Sequence, residues 1–212
     1  EMSREQLCMR LLSAESFVDS KKLHTGRLSP EEWRSIASAA GVISTLKLLI
    51  DDNSTLSVSD MNAQCRRIND LGLVVIDYLQ LMQSASGAPN RSGENRQQIV
   101  SDISRMLKIM AKELNVPVIC LSQLSRANES RTNKRPMLSD LRESGAIEQD
   151  ADIVLALYRE SYYNNDVEDP SLAECIVLKN RHGETGTVDL RWVPEHTSYV
   201  AVERRYRDED IG

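Results

Sequence analysis

A chain of 212 residues can bury the core of one α/β domain or at most two small ones. With 41% hydrophobic and 27% charged residues its composition is that of an ordinary folded chain, which disfavours disorder, and no apolar run reaches the ~20 residues of a spanning helix. Twenty-six basic residues against 32 acidic ones leave a net charge of −6. That excludes a generic basic nucleic-acid coat but leaves room for a local nucleic-acid-binding loop.

The first dozen residues already have helical spacing, with Leu7, Leu11 and Leu12 on one face. Ser3 and Gln6 are spaced as a capping box, which starts the helix there. Glu1 stands where a strand-to-helix turn would lie; taken alone, it reads better as a flexible terminal carboxylate. Ser29-Pro30-Glu31-Glu32 opens a second helix running to about Gly41, with a capping serine, a proline in the first turn and acids at the positive end of the dipole. Residues 46–50 are predicted as a short strand ending at Asp51 and Asp52, acids that suit a solvated turn or a ligand site. Residues 57–69 form an amphipathic helix with Val58, Met61, Cys65 and Ile68 inward. Strand, helix, strand is the grammar of a parallel sheet.

Residues 71–81 hold the strongest strand signal: five aliphatics between Leu71 and Ile76, broken only by Gly72, then Asp77. Such a run predicts a strand buried on both faces. A carboxylate at its carboxyl end lies where open α/β sheets bind ligands; it is either a Mg²⁺-positioning group or the polar end of a core strand. Residues 84–94 are small, polar and glycine-containing, and predict a mobile loop. A long helix over 96–114 follows, with Ile99, Ile103, Met106, Leu107, Met110 and Leu114 at spacings of three and four. Residues 116–121 are the next strand, ending in Ser122 and Gln123 beside Asp77.

Residues 128–136 are polar and basic, and are expected to be mobile. Residues 138–152 set charged clusters around Gly145. Further strands are expected at 153–157 and 174–178, the latter leading into Lys179-Asn180-Arg181. Alternating segments at 187–192 and 198–202 predict an antiparallel hairpin. Residues 204–212 read as a charged, frayed tail beyond a domain spanning 1–203. The cysteines Cys8, Cys65, Cys120 and Cys175 are far apart without metal-ligand spacing, which predicts reduced thiols of a cytoplasmic protein.

Four blocks in order carry a resemblance: residues 1–3 with their helix, Val-Ile-Asp-Tyr-Leu-Gln-Leu at 75–81, the segment 118–126 with its Ser-Gln-Leu-Ser-Arg, and residues 135–153 around Asp-Leu-Arg-Glu-Ser-Gly. Together they resemble the carboxy-terminal RecA-like motor domain of DnaB-type replicative DNA helicases over nearly the whole chain. The resemblance implies an α/β, RecA-like P-loop NTPase core, its mostly parallel sheet flanked by helices, with an antiparallel C-terminal hairpin. It implies a homohexamer that hydrolyses ATP with Mg²⁺ and moves 5′ to 3′ on single-stranded DNA, with contacts to primase, a helicase loader and the polymerase clamp loader.

Carried residue by residue, the resemblance makes Asp77 the carboxylate that positions Mg²⁺ through water, and Gln123 a γ-phosphate sensor. Glu1 falls on the carboxylate that activates the attacking water. Lys179 and Arg181 match a basic pair that reaches a neighbouring subunit's ATP, although alone they would read as an exposed basic turn. Arg142, Glu143 and Gly145 match a loop facing DNA. One departure is plain: no glycine in the 212 residues is followed by lysine, so the phosphate loop G-x-x-x-x-G-K-[ST] is absent. In the family that loop, its strand and its helix lie upstream of Glu1, so the chain reads as a fragment lacking part of its core. Two alternatives stay open: a non-catalytic piece that binds only DNA or partner subunits, and a recombinase-type RecA relative.

Overall fold

A computed structural model of the chain describes residues 2–53, 55–82, 96–141 and 145–202. The expectations for Glu1, Arg142, Glu143, the loop at 84–94 and the tail at 204–212 lie outside the described residues. The chain divides into two compact units, one of residues 1–52, 159–175 and 188–212, the other of residues 53–158 and 176–187.

In the first unit, helix α1 (Arg4–Ser16) begins at the expected capping box: the Gln6 amide donates to Ser3 Oγ and the Ser3 amide to Gln6 Oε1 at 3.0 Å. It ends at Phe17, whose φ of 55° is left-handed. Asp52 accepts from both the amide and the guanidinium of Arg4 at 3.1 Å. The carboxylate thus serves the amino-terminal turn of α1, where a helix favours negative charge. After α2 (Ser20–Thr25), α3 (Pro30–Ser44) packs on α1, burying Ile36 and Ala39. Residues 46–50 join no strand ladder, and Leu46, Leu48 and Leu49 are exposed. Strand-forming residues make a strand only beside a partner, and none runs beside this segment among the described strands. The same unit holds β5 (Gly186–Val193) from Val188 onward and β6 (Ser198–Ala201), which form the expected antiparallel hairpin in the register Leu190↔Ala201 to Val193↔Ser198.

The second unit is built on α5 (Arg96–Leu114), whose limits coincide with the predicted ones. Val100, Ile103, Leu107 and Met110 face one core with Val58 of α4 (Val58–Cys65) and with Ile76 and Leu79. Strands β1 (Val74–Ile76) and β2 (Val118–Cys120) pair in parallel across this helix. Where the apolar run predicts burial on both faces, β1 buries one. Val74 and Ile76 face α5, whereas Val75 is 60% exposed and Ile119 beside it 50%. The strand is read correctly in place but not in its surroundings: both faces are apolar, and α4 and α5 cover only one. Strand β3 (Ile153–Tyr158) repeats this, burying Val154 and Ala156 and exposing Ile153, Leu155 and Leu157. Beyond α6 (Gly145–Asp150), the strand order is β3, β4 (Leu172–Asn180), β5, β6, with β4 and β5 each contributing residues to both units.

Residues 128–136, expected to be mobile, are instead held in place. Asp140 is 3% exposed. Its carboxylate accepts from the Arg131 guanidinium at 2.6 Å and the Met137 amide at 2.8 Å, while its carbonyl takes the Ser125 amide at 2.9 Å. A buried charge is tolerated only when so paired, and this one fixes the turn around it.

Candidate active site

The parallel register Val74↔Val118, Val75↔Ile119, Ile76↔Cys120 brings the two strand tips out together. Beyond it, the Leu121 amide donates to the Ile76 carbonyl and the Leu79 amide to the Leu121 carbonyl, both at 2.9 Å. Asp77 and Ser122-Gln123 therefore leave the sheet side by side at its carboxyl edge, the ligand-binding edge of such sheets. Both Asp77 and Gln123 are exposed, and the Asp77–Tyr78 peptide is cis.

Gln80, in the 3-10 turn Leu79–Leu81, links the two tips. Its Nε2 donates to Ser122 Oγ at 3.0 Å and to the Gln123 carbonyl at 3.3 Å, and its Oε1 accepts from the Gln123 amide at 3.2 Å. One side chain thus holds the main chain of Gln123 from both sides. Below them, burial and then the negative charge of Asp77 push the Cys120 thiol up to about 12. A thiol raised this far is a weak nucleophile near neutral pH.

The late basic pair sits on a fixed support. Lys179 Nζ donates to the carbonyls of Glu148 at 2.5 Å and Ala151 at 2.7 Å, the orphan acceptors at the end of α6. The Arg181 amide donates to the Asp152 carbonyl at 2.8 Å, and its guanidinium donates to Asp152 Oδ1 at 3.1 Å. Lys108 of α5 pairs with the other oxygen of the same carboxylate. The hydrogen bond from Lys108, then the charges of Lys108 and Arg181, hold the Asp152 carboxyl below its ordinary value. Arg181 nonetheless remains about half exposed, at 49%.

Glu1, Arg142 and Glu143 lie outside the described residues; Gly145 is described and opens α6, exposed. Leu141 before it and Ile147 after it are anchored, Leu141 buried and Ile147 against the α5 core. A Cβ built on Gly145 meets nothing within 4 Å, so the described fold does not itself require glycine there. Among the described residues no cluster of three or more His, Cys, Asp or Glu is set to hold a metal. A lone carboxylate at a strand tip instead fits Mg²⁺, which keeps most of its waters and binds through one or two carboxylates plus substrate phosphates. Gln80, Lys108 and Asp152 escape sequence reading. The signals are a glutamine three residues beyond Asp77, and an acid just after a short helix that faces a lysine one turn beyond Ser104.

The DnaB-like helicase C-terminal domain family matches residues 1–201. The replicative DNA helicase DnaB of Geobacillus stearothermophilus is 51% identical over all of this chain, which covers 46% of that protein. The replicative DNA helicase DnaC of Bacillus subtilis is 49% identical, with 46% covered. The chain therefore spans about half the length of these curated relatives. Among solved structures, a DnaB-like replicative helicase described with its interactions with primase superposes with a TM-score of 0.88 at 40% identity, covering 96% of this chain and 49% of that one. A second solved structure, described as an ATPase domain, gives 0.87 at 40% identity, covering 96% and 72%. The fold is accordingly that of a RecA-like ATPase domain, α/β with a parallel pair and an antiparallel hairpin.

Proposed function

This chain belongs to the DnaB-like helicase C-terminal domain family, and on that premise we propose that it supplies the motor part of a hexameric replicative DNA helicase that hydrolyses ATP and moves 5′ to 3′ on single-stranded DNA. Residues 1–203 form part of a motor domain that works in the cytoplasm, and the complete protein works with primase, a helicase loader and the polymerase clamp loader. The observation that carries the reading is the convergence of Asp77 and Gln123 at the carboxyl edge of adjacent parallel strands.

In this reading Asp77 orients the waters of Mg²⁺, and Gln123 presents a neutral amide to the γ-phosphate or the attacking water. Bound Mg²⁺ neutralises charge on the phosphates. Glu1 takes the proton of that water. Arg181, aided by Lys179, stabilises charge on a neighbouring subunit's ATP; a permanently charged, planar donor set suits this task. Arg142, Glu143 and Gly145 contact DNA, Arg142 through phosphate and Gly145 by close backbone approach. The space around Gly145 supports that approach.

Replacing Asp77 with Asn in the complete protein removes charge stabilisation worth several kcal/mol, so hydrolysis should fall at least about 100-fold with hexamers intact. Undiminished turnover would refute the assignment.

A further inference from the structure

We propose that Asp152 is a positioning residue for Arg181, an inference that rests on the reading above in which Arg181 acts on a neighbouring subunit's ATP. Arginine carries a long, freely rotating stem, and an arginine that acts across a subunit boundary must be aimed before it is useful. Here residue 152 fixes Arg181 twice: its carbonyl accepts from the main chain and its carboxylate from the guanidinium. Only one of the five N–H donors of a guanidinium is taken by that carboxylate, so the rest of the fork can still meet a phosphoryl oxygen.

The charge balance favours the same role. Asp152 is shared between Lys108 and Arg181, one negative charge between two positive ones, so the trio retains net positive charge at the exposed guanidinium. The acid itself cannot swing freely, because Asp150, two residues earlier, accepts from Ser104 at 2.9 Å and Ile147 packs into the α5 core. Arg181 is therefore aimed by α5 through the short helix that begins at Gly145.

The test uses the complete protein and steady-state ATP hydrolysis. Asp152→Asn removes the charge but keeps the shape, and should lower kcat roughly 10- to 100-fold, the range expected when a catalytic group is misplaced. KM should change less than about threefold, since ground-state binding is untouched. Asp152→Glu should restore most of the loss. Lys108→Ala frees one oxygen of Asp152 but leaves the Arg181 pair and the Ser104–Asp150 bond in place, and should lower kcat by clearly less than Asp152→Asn does. Full turnover in Asp152→Asn beside an inactive Arg181→Ala would overturn this proposal alone, as would a Lys108→Ala loss equal to that of Asp152→Asn. Full turnover in Arg181→Ala would overturn the role of Arg181 at a neighbour's ATP and this proposal with it.

Discussion

Replacing Gln80 with alanine should separate positioning from stability at the strand tips. The substitution removes three hydrogen bonds, at 3.0, 3.2 and 3.3 Å. Each such bond contributes a net ~0.5–1.5 kcal/mol. Two of the three are long, and water can replace them at this exposed edge, so the stability loss should be about 1–2 kcal/mol. For a domain of about 150–250 residues that lowers Tm by only a few degrees, at about 2–4 °C per kcal/mol. Turnover should suffer more, because Gln123 loses both main-chain tethers; a reacting group displaced by an ångström costs on the order of 10²-fold. The assay is kcat and KM for ATP hydrolysis in the complete protein, paired with thermal unfolding. Gln80→Glu keeps the acceptor for the Gln123 amide but not the two donations, and should fall between. A Gln80→Ala protein that loses this much stability yet hydrolyses ATP at the original rate would show that the tether is structural and that Gln123 needs no aiming.

Three further outcomes are expected. Gly145→Ala should leave the fold intact and stabilise it by about 0.4–1 kcal/mol, as at any unstrained helical glycine, while weakening single-stranded DNA binding; unchanged affinity in a fluorescence-anisotropy titration would remove Gly145 from the DNA contact. Arg131→Ala leaves the Asp140 carboxylate buried without its cation and should cost about 3 kcal/mol in denaturant unfolding; a loss below about 1 kcal/mol, the scale of an exposed pair, would contradict that burial. With its thiol raised to about 12, Cys120 should show alkylation still rising at pH 10. Asp77→Asn should shift that profile to lower pH, since a neighbouring negative charge disfavours the thiolate, and a plateau by pH 9 would deny the proximity of the two groups.

How far the sequence reveals this arrangement depends on how local each signal is. The limits of α5 can be read from its spacing because Val100, Ile103, Leu107 and Met110 form one stripe whatever they pack against. The convergence of Asp77 and Gln123 can be read too, since strand, helix and strand in succession force a parallel pair whose carboxyl ends coincide. Burial is not legible in this way. The run at 71–76 is apolar on both faces, but in this chain Val75 and Ile119 are left exposed. Nor does the pattern reveal that residues 128–136 are held, because the buried Asp140 that fixes them looks in sequence like any surface acid. Gln80 and Asp152 are hidden for the same reason: a polar residue's partner is a property of the fold, and neither partner lies within a helical turn of it.

The distribution of these contacts gives α5 two separable tasks. Its apolar stripe carries Ile76 and Leu79, and with them the tip where Asp77 and Gln123 emerge. Its polar stripe, Ser104 and Lys108 one turn apart, carries Asp150 and Asp152, and with them Arg181. Side chains four residues apart share a helix face, so a rotation of α5 about its axis would move the two stripes together. Asp77, Gln123 and Arg181 are thus referenced to one rigid element even though they stand on three different strand ends. Gly145, at the start of α6, is only one short helix away from Asp152.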